Sequence, residues 1–149
     1  IAMERAPRGS VLVVETGNFV AGYWGEVLTV AAEAAGIVGL VIDGGVRDVA
    51  AMTRRRFPVF TRGVSVRGTI KASSPSVGQQ MLFGGVPVAA GDMVVADDDG
   101  VIIVPAAELE RTLAAAEARA SKEAEMMARL SQGETTMDLL GLSAWRQRA

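Results

Sequence analysis

An arginine and an aspartate stand side by side in "VIDGGVRD" (41–48), where an apolar run meets two glycines. Arg47 can hold a carboxylate or an enolate oxygen in a bidentate fork. Asp48 can hold a divalent cation, directly or through water. Ligands of open α/β sheets collect beyond the carboxyl ends of strands, and this pair falls there if residues 37–43 form a strand. Gly44 and Gly45 then read as a sharp turn that lets a ligand approach the backbone. The plainer reading puts Asp48 in the first turn of a helix, favoured by the dipole, with Arg47 in solvent.

Few other groups can do chemistry. The chain has no His and no Cys, so it lacks the commonest general base, any thiolate and any disulfide. Oxygen donors remain, and these select Mg2+ or Mn2+ over zinc. "GYWGEVL" (22–28) offers a second candidate. A glycine-flanked helix start exposes the N–H groups of Gly25, Glu26, Val27 and Leu28, a cradle for an anion. Glu26 lies off the apolar face; its plain reading is a surface acid near a helix N-terminus.

In the long helical pattern from Ala106 to Ser131, Leu109, Leu113, Ala116, Ala120 and Met127 form a narrow apolar stripe. Glu123 falls inside that stripe, and an inward carboxylate must be paired, hydrated or near a metal. Either the helix has run past the edge of its own domain, or it delivers Glu123 to the site of a neighbouring subunit. Lys71 in "GTIKAS" can form a Schiff base or steady an anionic substrate as a plain cation. "ADDDGV" (96–101) reads as a hairpin turn rather than a metal cluster, and "TRRRF" (53–57) as a solvated helix end rather than an RNA contact.

The elements that must position these groups follow from pattern. The 149 residues fit one domain, with half of them hydrophobic and only 5% aromatic, so the core is aliphatic. Residues 10–16, 37–43 and 57–63 read as strands; 23–36, with Trp24, Val27, Leu28, Ala31 and Ala35 on its inner face, and 46–56 read as helices. That is a parallel βαβ part. Residues 66–85 are loop-rich, 86–105 hold two or three short strands, and 134–142 make a short terminal helix or arm. A net charge of −2 argues against a nucleic-acid partner. No apolar run reaches the ~18 residues of a membrane helix and no signal peptide is visible, so a cytoplasmic protein without membrane contact is expected. The opening "IAMERA" reads as the tail of a helix already under way, which predicts a missing N-terminal portion.

Taken together, "GLVIDGGVRD" (39–48), "GYWGEVLTVAAEAAG" (22–36), "RGTIKA" (67–72) and "GDMVVADDDGVIIVP" (91–105) resemble the HMG/CHA aldolase family, chiefly its 4-carboxy-4-hydroxy-2-oxoadipate aldolases. These are class II pyruvate aldolases that share a fold with the regulator of ribonuclease activity A. The resemblance spans nearly the whole chain and is most specific from Gly22 to Asp48. It implies an α/β, swivelling β/β/α domain covering residues 1–149, a trimer or dimer of trimers, and a site between subunits to which the helix of 106–131 reaches. Arg47 resembles the arginine for the keto and enolate oxygens of pyruvate, and Asp48 the aspartate that holds Mg2+, with Mn2+ as substitute. The amides of Gly25, Glu26, Val27 and Leu28 resemble the pyruvate carboxylate cradle. Thr69 and Lys71 match polar positions near the substrate, and Glu123 a glutamate from the adjacent subunit. The chain departs from the family in carrying Glu26 where some members have Asp, and in lacking the usual longer N-terminal region.

The activity implied is cleavage of a 4-hydroxy-2-oxo acid to pyruvate and a second keto acid, with oxaloacetate decarboxylation as a side activity. The competing expectation is a non-catalytic regulator that binds a ribonuclease E-type enzyme; Asp48 and the helix with Glu123 favour the aldolase. A methyltransferase, a third role attached to relatives, finds no G-x-G-x-x-G loop here.

Overall fold

The structure is a computed structural model describing residues 1–70 and 76–147. The chain divides into two compact units, Ile1–Ala106 and Ala107–Ala149. The class is the expected α/β one.

In the first unit a short helix α1 (Ala2–Arg5) precedes strand β1 (Val11–Val14). Then come β2 (Gly22–Trp24), α2 (Glu26–Ala35), β3 (Gly39–Val46), α3 (Val49–Arg55) and β4 (Val59–Val64). The four strands form one parallel sheet around β3. β3 is buried along its whole length, which is why it reads as an apolar run interrupted only by Asp43. β4 pairs with it from Leu40 to Val46, so β1 and β2 must share its other edge. β1 takes Gly39–Ile42 and β2 takes Gly45 and Val46.

The chain therefore leaves the edge of β3 after Val14, loops outward, and returns to the same edge at Gly22. Asp43 and Gly44 lie in that gap, where the ladder between β3 and β4 also shifts register. Side chains fill the breaks. The buried Asp43 carboxylate accepts from the Thr16 N–H, from the Thr16 hydroxyl at 2.8 Å and from the Asn18 N–H at 3.1 Å. The Thr61 hydroxyl donates to the Gly44 carbonyl at 2.8 Å on the opposite edge.

This corrects the reading of Gly44-Gly45 as a turn. Both lie inside β3, which runs on to Val46. They are glycine because the returning loop crowds them. A Cβ on Gly44 would meet the Thr16 hydroxyl at 2.5 Å, and one on Gly45 the Ala21 carbonyl at 2.6 Å.

The helix expected over 23–36 is also shorter. Tyr23 and Trp24 belong to β2, Gly25 caps the helix, and Gly36 ends it in the left-handed region (φ 81°) as expected. Its buried face is Thr29 and Ala32, whereas Val27 is 78% exposed. Small side chains there let the helix lie close to the sheet. Trp24 stacks on Phe57 (6.3 Å between centroids) in a core with Ile37, Leu40, Ile42, Val46 and Met52, and its indole N–H donates to the buried Thr29 hydroxyl at 2.8 Å.

Two hairpins complete the unit: β5 (Met81–Phe83) with β6 (Val86–Val88), and β7 (Met93–Asp97) with β8 (Gly100–Val104). Asp98 and Asp99 form the two-residue turn of the second hairpin, where the Asp97 carboxylate accepts the Asp99 N–H at 2.9 Å. The acidic run is turn chemistry, as read. No group of three or more acidic side chains among the described residues is arranged to hold a metal.

The second unit consists of α4 (Leu109–Ser131), α5 (Thr136–Leu139) and a 3-10 turn over Ser143–Gln147; a single 3-10 turn over Ala106–Glu108 precedes α4. No residue of α4 is buried. Asp138 ties the end of this unit together. Its carboxylate accepts from Arg146 (2.8 and 3.0 Å), from Ser143 (2.6 Å) and from Thr135. No helix among the described residues is long and apolar enough to cross a membrane.

Candidate functional site

The site is built where β3 ends. The Arg47 N–H donates to the Trp24 carbonyl at 2.8 Å, so the end of β3 is tied to β2. Asp48 then takes a left-handed backbone conformation (φ 58°, ψ 34°), which an aspartate tolerates better than most residues. Its backbone carbonyl opens α3, accepting from Ala51 and Met52 at 3.0 and 3.2 Å. Its side chain turns the other way, onto α2.

There the Asp48 Oδ2 accepts the Glu26 N–H at 3.1 Å. Gly25 occupies the N-cap of α2 and has no side chain to cap with, so Asp48 does so from the next βα turn. The glycine makes room for it. A Cβ at Gly25 would collide with Asp48 Oδ2 and come within 2.9 Å of Arg47 Cγ. Asp48 Oδ1 has no partner among the described residues.

Arg47 extends beside it. Its Nη1 donates to the Gly22 carbonyl at 3.1 Å and its Nε lies 3.8 Å from Asp48 Oδ2. Both side chains stay nearly half exposed, at 46% and 45%. The guanidinium is thus fixed at one end while its remaining donors face solvent. The Val27 and Leu28 N–H groups, in the first turn of α2, have no intrahelical partner and no acceptor among the described residues.

The structure therefore brings together Arg47, Asp48, Gly25, Glu26, Val27 and Leu28. The cradle differs from the expected one in a single respect: Asp48 already occupies the Glu26 N–H. Three N–H groups without an acceptor among the described residues (Gly25, Val27 and Leu28), a guanidinium and an uncommitted carboxylate oxygen remain. Such a surface can bind an anion and hold one oxygen-loving cation by a single protein carboxylate. That donor set fits Mg2+, which keeps several waters and takes one or two carboxylates beside substrate oxygens.

Thr69 is exposed on the segment after β4, and Lys71 lies outside the described residues. Glu123 belongs to the second unit, where its carboxylate accepts from Arg119 Nε at 2.7 Å across one helical turn, 53% exposed. Sequence reasoning missed three participants. Gly22 holds Arg47 through its carbonyl, Asp43 pins the loop beneath the site, and Phe19 on that loop carries the Arg67 guanidinium 5.1 Å above its ring. Asp43 alone left a signal, as the one acid inside an apolar run.

The site is open on this chain. Apolar hollows of about 170 and 150 Å³ lie between α3 and β4 and beneath β7, and none of the candidate residues lines them.

Known proteins resemble this chain in sequence and fold. Residues 1–103 match the family described as RraA-like: Aldolase/RraA. A relative from Halalkalibacterium halodurans, named "Putative 4-hydroxy-4-methyl-2-oxoglutarate aldolase", is 34% identical over 113 residues, covering 75% of this chain and 54% of that protein. The chain thus spans about half of that relative's length. Among solved structures, Streptomyces coelicolor RraAS2, described as an unusual member of the RNase ES inhibitor RraA protein family, superposes with a TM-score of 0.76 at 27% identity. That match covers 86% of this chain and 66% of the other. An uncharacterized protein from Pseudomonas syringae pv. tomato gives 0.78 at 28% identity, covering 89% and 67%.

Proposed function

The chain belongs to the RraA-like, Aldolase/RraA family, and on that premise we propose that it is a divalent-metal-dependent pyruvate aldolase. Its substrate is a 4-hydroxy-2-oxo acid such as 4-carboxy-4-hydroxy-2-oxoadipate or 4-hydroxy-4-methyl-2-oxoglutarate. The observation that carries this reading is the pairing of Arg47 with a left-handed Asp48 whose carboxylate lies on the N-terminus of α2. A regulator that only binds another protein needs no carboxylate oxygen left without a partner beside its arginine.

In retro-aldol cleavage the O–H bond at C4 breaks and its electrons form a carbonyl. The C3–C4 bond breaks, its pair becomes the pyruvate enolate, and a proton returns to C3. Arg47 supplies fixed positive charge where the enolate oxygen develops. The Val27 and Leu28 N–H groups, at the positive end of α2, receive the carboxylate of the pyruvyl half. Asp48, through its free Oδ1, would hold Mg2+ or Mn2+, which would act as a Lewis acid on the oxo group. With no histidine in the chain, the proton carrier is water set by a carboxylate, Glu26 or Glu123.

The openness of the site supports completion by another subunit in a trimer or dimer of trimers. Glu123 and the wholly unburied α4 are the parts that would reach across. Thr69 and Lys71 would line the substrate. The same enolate stabilisation supports oxaloacetate decarboxylation.

A second reading has its own support: structural neighbours are described as RNA-processing and RNase ES inhibitors. Pyruvate release, coupled to lactate dehydrogenase with Mg2+ and then with EDTA, separates the two. The aldolase gives metal-dependent pyruvate. The regulator gives none from any oxo acid and slows a ribonuclease E-type enzyme instead.

A further inference from the structure

We propose that Arg67 is a specificity residue that binds the carboxylate carried by the substrate beyond the bond that breaks. The inference rests on the aldolase reading and deepens it. Gly22 joins Arg67 to the site: its N–H donates to the Arg67 carbonyl at 2.8 Å, while its own carbonyl accepts from Arg47 Nη1 at 3.1 Å. The segment carrying Arg67 follows β4 and so lies at the carboxyl end of the sheet, where ligands bind. Two arginines thus meet the same rim through one glycine.

Their side chains are held differently. Arg47 is shared between a carbonyl and the Asp48 carboxylate. Arg67 has no carboxylate partner among the described residues. It lies 5.1 Å from the centre of the Phe19 ring, a cation–π contact that orients a guanidinium while leaving its N–H donors unused. Phe19 is itself fixed, because the loop that carries it is pinned by Asp43 through Thr16 and Asn18. An oriented arginine whose side-chain donors meet no acceptor among the described residues is suited to a bidentate carboxylate. Arg47 and the α2 amides take the pyruvyl end. Arg67 is the cation for the far end, and Phe19 is its positioning residue.

The full-length protein tests this with three compounds: 4-carboxy-4-hydroxy-2-oxoadipate, 4-hydroxy-2-oxopentanoate, which has no carboxylate beyond the scissile bond, and oxalate, which imitates only the enolate end. Arg67→Ala should raise KM for the first by about ten- to hundredfold, the worth of a charged hydrogen-bonded contact, with the loss carried by KM rather than kcat. It should leave inhibition by oxalate and the KM for 4-hydroxy-2-oxopentanoate at their wild-type values. Phe19→Leu, which keeps the apolar volume without the ring, should raise the first KM by a smaller factor. An unchanged KM in Arg67→Ala, or a parallel loss of oxalate inhibition, overturns the assignment. Wild-type protein that releases no pyruvate at all overturns the aldolase reading beneath it, a pattern distinct from either.

Discussion

Asp48 and Glu26, twenty-two residues apart, meet where a carboxylate oxygen accepts a backbone N–H at 3.1 Å, so that one βα turn caps the helix of another. The aspartate proposed to hold the metal is thus also part of the fold. Its side chain caps α2 and its carbonyl starts α3, from a left-handed backbone.

That double role predicts an order of stabilities in urea denaturation. Asp48→Asn keeps an acceptor and tolerates the left-handed region, so it should fall within about 1 kcal/mol of wild type. Asp48→Ala loses the cap and strains the backbone, for about 1–3 kcal/mol. Asp48→Gly loses the cap alone and should lie between them. Equal stability of the Ala and Asn variants would remove the cap from the account.

Gly25→Ala should damage the site more than the fold. Its backbone is extended (φ −164°) and accepts any residue, but the added methyl meets the Asp48 carboxylate and Arg47. The expected result is a loss of Mg2+ affinity and of pyruvate release, about tenfold or more, with a melting temperature within a few degrees of wild type. Calorimetric Mg2+ titration and a thermal scan read the two halves of this prediction.

Asp43→Ala should be the costliest of the single changes, about 3 kcal/mol or more, because it orphans three donors beneath the sheet edge. Hydrogen exchange should accelerate first at Thr16 and Asn18. Protection there equal to wild type would mean that the loop is held by something else.

The end of the second unit should resist acid. The Arg146 guanidinium, then the Ser143 and Thr135 hydroxyls, hold the Asp138 carboxyl well below the usual carboxylate range. A depressed folded-state value means that its contribution is present above the unfolded-state value. It is lost only as pH falls through the folded one. Exchange protection across 136–142 should therefore persist at pH values where ordinary carboxylates have titrated, and Arg146→Ala should move its loss upward in pH.

Much of this was legible in the residues, and the misses have physical causes. The buried β3, a hairpin turn in the acidic run (read at Asp99-Gly100 and found one residue earlier), the stop at Gly36 and the Arg47-Asp48 pair all follow from local patterns. Gly44-Gly45 misled because a glycine crowded by a distant loop looks like a glycine in a turn. Val27 and Leu28 misled because they are apolar by type, while Thr29 and Ala32 are the residues small enough to face the sheet. The Asp48 cap on α2 links positions twenty-two residues apart, and no periodicity records such a contact.

The central claim is that Arg47 and Asp48 perform metal-assisted cleavage. Its most direct test is pyruvate release from 4-carboxy-4-hydroxy-2-oxoadipate by wild type, Arg47→Ala and Asp48→Asn, side by side in Mg2+ and in EDTA. The account predicts turnover by wild type in Mg2+ only. It predicts a loss of about 10²–10³-fold in Arg47→Ala, and a comparable loss in Asp48→Asn that excess Mg2+ partly restores. Turnover that survives EDTA, or that either variant retains in full, would contradict it.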